Sequence, residues 1–320
     1  MPLSAIALVL LAALLHAGWN IVAKRSGGGV HFALLCSLLI VALWAPLGLV
    51  MAWWQAPIWS GQALWVWVVL LASGVAHVAY FNALLAGYRA ADLTVVYPVA
   101  RGTGPLVASV GAVLVLGEHA SLASALGALA VAVGVFLIAG GPKLFAATGD
   151  RARRNRVLAG LAWGGSIGVL IATYTVIDGY AVTMLALSPI VVDYLGNALR
   201  IPFMLPAALA DRAGFRCECQ AKWKAALLLA AISPLGYVLV LYAVHVAPLS
   251  HVAPLSHVAP LSHVAPLSHV APLSHVAPAR EVSMLFAALL GGRLLGEVDS
   301  GLRIAGAGFI VAGVVSLAMS

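Results

Sequence analysis

Two segments of this chain, one in each half, carry the same pattern of charged and small residues. Arg101 begins the segment RGTGPLVA, which leads to LGE at Glu118, and Arg280 begins REVSMLFA, which leads to LGE at Glu297. The Arg and the Glu lie 17 residues apart in both copies. Nine and sixteen residues after each Glu comes a glycine, namely Gly127, Gly134, Gly306 and Gly313. The two halves are therefore predicted to be copies of one structural unit.

The composition indicates that this unit lies in lipid. Charged residues make up 8% of the chain and hydrophobic residues 63%, whereas a soluble domain carries about 25% charged residues. The chain has 17 basic and 10 acidic residues. The basic residues follow apolar runs in short loops, as they do on the cytoplasmic side of membrane proteins. The excess of positive charge is therefore interpreted as membrane topology, and no nucleic-acid partner is expected.

Ten apolar runs are each long enough to span a bilayer, which takes about 20 residues. The sequence thus predicts an all-α integral membrane protein with ten transmembrane helices. The runs cover residues 3–23, 31–53, 62–86, 93–115, 121–140, 157–177, 187–210, 224–246, 276–295 and 301–319.

The loop charges predict how the helices are oriented. Lys or Arg follows runs 1, 3, 5 and 7, and none follows runs 2, 4, 6 and 8, so the odd-numbered loops should be cytoplasmic and both termini extracytoplasmic. Because each unit holds five helices, an odd number, the two repeats must be inverted. We expect a first five-helix repeat at 1–140, a basic cytoplasmic linker at 141–156 and a second repeat at 157–320.

A hexapeptide array interrupts the second repeat at 245–278, between helices 8 and 9. The unit HVAPLS occurs five times from His245 and is followed by a partial copy. Four units, or 24 residues, are surplus to the matching loop of the first half. A proline every six residues disfavours a regular helix, so a kinked or bulged segment on the outer side is expected. We hypothesise that the expansion impairs or toggles the activity of the chain.

Polar side chains inside the apolar runs are the candidate substrate-binding residues, because such groups are costly in a bilayer. Helical spacing puts His16, Trp19 and Asn20 on one face of helix 1. There they either face a substrate or pack and hydrogen-bond near the cytoplasmic end of the helix. Asp193, Asn197 and Arg200 share a face of helix 7, with Asp193 as a candidate proton carrier; the alternative is an ion pair between helices.

The remaining candidates are charged residues at the starts of helices 4 and 9 and two tyrosines of the first repeat. Arginine suits carboxylate or phosphate groups, but Arg280 could equally be balanced by its neighbour. Glu118 and Glu297 are interpreted as structural. The loop after helix 7, with Cys217 and Cys219, lacks zinc spacing, and neither a metal nor a cofactor is predicted. These remaining candidates are Tyr80, Tyr97, Arg101, Arg280 and Glu281.

The chain resembles the EamA-type branch of the drug/metabolite transporter superfamily. The resemblance rests on LHAGWN, ending at Asn20 and followed by Lys24 and Arg25, on the proline-containing starts of helices 4 and 9, and on the twin LGE segments. It implies an inverted 5+5 fold, a central cavity, and export of metabolites, amino acids or drugs that is proton-coupled or facilitative. It also implies that five residues line the cavity: His16, Trp19, Asn20, Arg280 and Glu281.

The expected function is therefore that of a secondary transporter in the inner membrane of a bacterium, as a monomer or homodimer. Its partners would be a small-molecule substrate, the lipid bilayer and, in the coupled case, protons. No Walker A, nucleotide-binding or HExxH segment is present, so neither ATP-driven transport nor enzymatic activity is expected. Two alternatives stay open: a passive channel or lipid scramblase, and a transport-inactive membrane protein disabled by the expansion.

Overall fold

The computed structural model describes residues 3–26, 29–56, 63–91, 93–119, 121–138, 141–144, 151–245, 272–279, 281–282 and 300–319. These residues form helices and their connections, and no strand occurs among them. In chain order the helices are α1 (Leu3–Ser26), α2 (Val30–Trp54), α3 (Ala63–Ala90), α4 (Leu93–Leu116), α5 (Leu122–Ile138), α6 (Arg151–Thr183), α7 (Pro189–Ala210), α8 (Arg212–His245), α9 (Leu273–Ala279) and α10 (Ser300–Met319). A short 3-10 turn, Gly141–Leu144, follows α5.

Five of the helices in the described ranges, α2, α3, α4, α6 and α8, are long and apolar enough to cross a membrane. Large apolar side chains also cover the outside of the bundle, as Leu64 and Leu114, 81% and 77% exposed, illustrate. Trp53 and Trp54 lie exposed at the end of α2, where an interfacial aromatic belt would place them. The all-helical, membrane-compatible class expected from the sequence is thus confirmed.

The structure corrects the start of α8. The basic segment after α7 was expected to be a polar loop up to about residue 224, but the helix begins at Arg212. The Asp211 carboxylate accepts a hydrogen bond from the N–H of Gly214 at 2.9 Å, which caps the helix. An i,i+4 pair between Lys222 and Glu218, at 2.6 Å, supports the next turns. The expected loop cysteines, Cys217 and Cys219, therefore lie on a helix.

Small residues allow close contact between helices. A Cβ placed on Gly164 would lie 2.6 Å from the side chain of Val99, and one on Gly168 would lie 2.7 Å from that of Thr103. The residue numbers rise together on both helices, so α4 and α6 run parallel. In membranes such small residues let helix backbones approach.

Helices α5 and α10 pack in the opposite sense. A Cβ on Gly127 would lie 2.9 Å from the carbonyl oxygen of Gly313, and one on Gly134 would lie 2.6 Å from that of Gly306. In the reverse direction, a Cβ on Gly306 would lie 2.6 Å from the carbonyl oxygen of Gly134, and one on Gly313 would lie 2.6 Å from that of Gly127. The low-numbered glycine of one helix thus meets the high-numbered glycine of the other, so the two helices are antiparallel.

The end of the hexapeptide array is helical, and the helix begins three residues before the expected start of helix 9 at 276. Helix α9 starts at Leu273 and includes Pro278, and all seven of its residues are buried. Its first two N–H groups, those of Leu273 and Ser274, donate to the Glu118 carboxylate at 2.6 and 2.9 Å. A carboxylate is favourable at this end of a helix, which explains why the array ends in a helix here. The structural interpretation of Glu118 is confirmed, and Glu297 lies outside the described residues.

Replacing Glu118 with glutamine is expected to lower the free energy of unfolding by about 1 kcal/mol, the usual effect of losing a helix cap. Thermal unfolding of the purified chain in detergent measures this change. The matched control is His119→Gln, on the exposed neighbouring residue, which should leave stability unchanged. Equal stability of the two variants would contradict the capping role.

Candidate functional site

Arg101 lies at the centre of a buried polar cluster that joins three helices. It is 8% exposed on the third turn of α4. Its Nη1 lies 3.5 Å from Oε1 of Glu281, just after α9, and its Nη2 donates to Nε2 of His16 on α1 at 2.9 Å. The guanidinium also lies 5.4 Å from the centre of the Tyr97 ring, a cation–π distance. Four of the residues predicted from the sequence therefore come together.

The chemistry of this cluster follows from its burial. Glu281 is fully buried, and an unpaired buried carboxylate would be costly. The Arg101 guanidinium supplies its counter-charge. Because His16 Nε2 accepts the hydrogen bond from Arg101, that nitrogen carries no proton. An anionic group of a substrate would therefore compete with Glu281 for the Arg101 guanidinium.

The predicted polar face of α7 is buried, with Asp193 at 8% and Asn197 at 3% exposure. Asn197 Nδ2 donates to the main-chain oxygen of Asp193 at 2.9 Å. Arg200 Nε donates to the main-chain oxygen of Gly196 at 3.2 Å, and its positive charge acts on the Asp193 carboxylate. The three residues thus share a face, as their spacing indicated, and part of their hydrogen bonding is to their own helix.

Asp178 on α6 is a buried carboxylate that sequence reasoning missed. It is 1% exposed. Ser73 Oγ on α3 donates to its Oδ1 at 2.5 Å, and the Tyr237 hydroxyl on α8 donates to its Oδ2. The apolar run of helix 6 was placed at 157–177, one residue short of Asp178, so this carboxylate was not among the candidate residues. Helix α6 continues to Thr183.

Aromatic rings of α3 and α6 pack against one another. The His77 ring stacks on Tyr174 with centroids 4.0 Å apart, and Tyr80 meets Tyr174 edge to face at 5.6 Å. The predicted residue Tyr80 therefore belongs to an aromatic cluster whose His77 also hydrogen-bonds to Ser73, the partner of Asp178.

Three predicted site residues are not placed. Trp19 and Asn20 lie on α1, but their side chains are outside the described part of the chain, and so is Arg280.

A cleft of about 720 Å³ lies apart from these clusters, at the ends of α2, α3 and α8. Its lining includes the basic side chains of His31, Arg89 and Lys222, together with the Glu218 carboxylate. The charge pattern predicts that these ends of α2, α3 and α8 lie on the cytoplasmic side.

Comparison with known proteins identifies a fold and no family. No family model and no curated protein sequence matches the chain. A solved structure described only as "Crystal structure of protein" is similar to it, with a TM-score of 0.67 and 15% sequence identity, over 100% of this chain and 98% of the other. At this identity the likeness establishes that the fold is shared along the whole chain.

Proposed function

We propose that this chain is a secondary transporter of the EamA type, which moves small metabolites, amino acids or drugs across the bacterial inner membrane by alternating access. The observation that carries the proposal is the Arg101 cluster. Its guanidinium on α4 is paired with Glu281 after α9 and with His16 on α1. Charged groups buried within an apolar bundle are costly and typically mark a transport pathway.

The proposed architecture is ten spans in two inverted five-helix repeats, with both termini extracytoplasmic. The reciprocal glycine contacts of α5 and α10 support it. Gly127 and Gly306 are equivalent in the two repeats, as are Gly134 and Gly313. Gly127 contacts Gly313, the equivalent of Gly134, and Gly134 contacts Gly306, the equivalent of Gly127. A two-fold axis between inverted copies generates this kind of self-complementary contact.

Residue spacing supports the same architecture. After removal of the 24 surplus residues, Arg280 stands 155 residues after Arg101, the offset that also relates the two pairs of equivalent glycines. In alternating access the two repeats rock around a site between them, which is where Arg101 of one repeat meets Glu281 of the other.

Reconstituted flux tests the proposal. The full chain in proteoliposomes, given a panel of labelled amino acids, is expected to show saturable uptake that is accelerated by unlabelled substrate inside the vesicles. A channel or scramblase would show neither saturation nor this counterflow. Vesicles whose uptake never exceeds that of protein-free vesicles for any labelled compound would favour a transport-inactive protein.

Deleting residues 249–272, which leaves one complete unit, is expected to stabilise the chain and to raise its transport rate. In the full chain 27 residues separate α8 from α9, whereas two separate α3 from α4. Each doubling of a closed segment costs about 0.6 kcal/mol, so the shorter connection should favour the folded state by about 2 kcal/mol. Thermal unfolding and counterflow measure the two effects. Equal stability and equal flux in both chains would reject the hypothesis that the expansion impairs transport.

A further inference from the structure

The Asp178 carboxylate joins helices that belong to different proposed repeats. Asp178 and Tyr237 lie in the second repeat, on α6 and α8, while Ser73 lies in the first, on α3. The Ser73 hydrogen bond, at 2.5 Å, is therefore a direct link across the interface at which alternating access requires movement. The charge of a carboxylate that links the two repeats can change the strength of the contact between them.

The charges around Asp178 do not balance. The positive charge of Arg200 on α7 acts on both Asp178 and Asp193, so within the described ranges these two carboxylates share one permanent cation. Among the described residues, the other titratable groups near Asp178 are Tyr237 on α8, which binds it directly, His77 on α3, which binds Ser73, and Tyr174 on α6, which stacks on His77. His77 Nδ1 donates to the main-chain oxygen of Ser73 at 2.9 Å. Because an excess buried charge is costly, a single proton taken up here would neutralise the group.

The hydrogen-bond partners indicate which carboxylate takes the proton. Ser73 and Tyr237 offer hydroxyl groups, which can both donate and accept. They can donate to an ionised Asp178, and one of them can accept from a protonated Asp178. Of the charges that act on Asp193, that of Arg200 is the strongest, and a nearby positive charge favours the ionised form of a carboxylate.

We propose that Asp178 is the proton-binding site of this transporter, and that its protonation weakens the contact between the repeats. The inference rests on the proposed transport function. The ionised carboxylate binds one proton from water and becomes a neutral carboxyl group. Its bond from Ser73 is charge-assisted before this step and neutral after it, and neutral hydrogen bonds are weaker. Proton binding thus loosens α3 from α6, and proton release restores the contact.

Infrared difference spectroscopy of the full chain in lipid, titrated with acid, tests the site without any substrate. The parent is expected to show the carbonyl band of one protonated buried carboxyl group. Asp178→Asn should lose that band, and the matched variant Asp193→Asn should keep it. A band that survives in Asp178→Asn, or that only Asp193→Asn removes, overturns the assignment.

Two further measurements keep the test decisive. If Asp178→Asn does not fold, Ser73→Ala and Tyr237→Phe retain the carboxyl group and are expected to move the midpoint of its titration; an unmoved midpoint in both overturns the proposal. Counterflow of labelled amino acids is measured separately at several pH values. Flux with unchanged pH dependence in folded Asp178→Asn refutes the proton role while leaving the transporter intact. A titrating Asp178 in a chain without flux refutes the transport function instead.

Discussion

Replacing Arg101 with methionine is expected to abolish transport and to lower the free energy of unfolding by about 3–5 kcal/mol, the usual result of removing one partner of a buried ion pair. The reason is Glu281, which is fully buried and lies 3.5 Å from the guanidinium. His16 would also lose its hydrogen-bond donor. Thermal unfolding in detergent and counterflow in proteoliposomes measure the two losses.

The double variant Arg101→Met with Glu281→Gln separates folding from transport. It removes both charges, so most of the lost stability should return. Transport should stay absent because the guanidinium that would bind the substrate is gone. Arg89→Met serves as the matched control, since Arg89 is exposed at the end of α3 and should affect neither property strongly. A double variant that transports at the parental rate would show that the pair is only structural.

The polar residues show what the sequence could and could not predict. His16, Arg101 and Glu281 were each identifiable, because an ionisable side chain in an apolar run is costly and therefore marks a contact. Their pairing was not identifiable, since His16 and Arg101 lie 85 residues apart and only helix packing brings them together.

Two errors have local physical causes. Asp178 was missed because a charged residue ends an apolar run when hydropathy alone is considered, although α6 continues past it and Ser73 and Tyr237 bind its carboxylate. The start of α8 was misplaced because basic residues in a row resemble a loop. The Asp211 cap and the pairing of Glu218 with Lys222 instead extend the helix.

The Gly306→Val substitution is expected to lower the free energy of unfolding by about 3 kcal/mol, at the upper end of typical overpacking. A Cβ at Gly306 would lie 2.6 Å from the carbonyl oxygen of Gly134, and a backbone oxygen can give way only if the whole helix moves. Gly308→Val is the matched control on the same helix, since nothing lies within 4 Å of a Cβ there. Thermal unfolding in detergent measures both variants.

The inverted-repeat proposal also predicts the effect of a substitution at Gly127, on the other side of the same helix contact. If a two-fold axis relates α5 to α10, Gly127 must behave as Gly306 does, because the two occupy equivalent positions in the repeats. A Cβ at Gly127 would lie 2.9 Å from the carbonyl oxygen of Gly313, so Gly127→Val should cost a similar free energy. Since both substitutions act at one helix pair, their combination should cost less than the sum of the two. Parental stability of Gly127→Val beside a destabilised Gly306→Val would contradict a symmetric contact, and with it the inverted arrangement of the two halves.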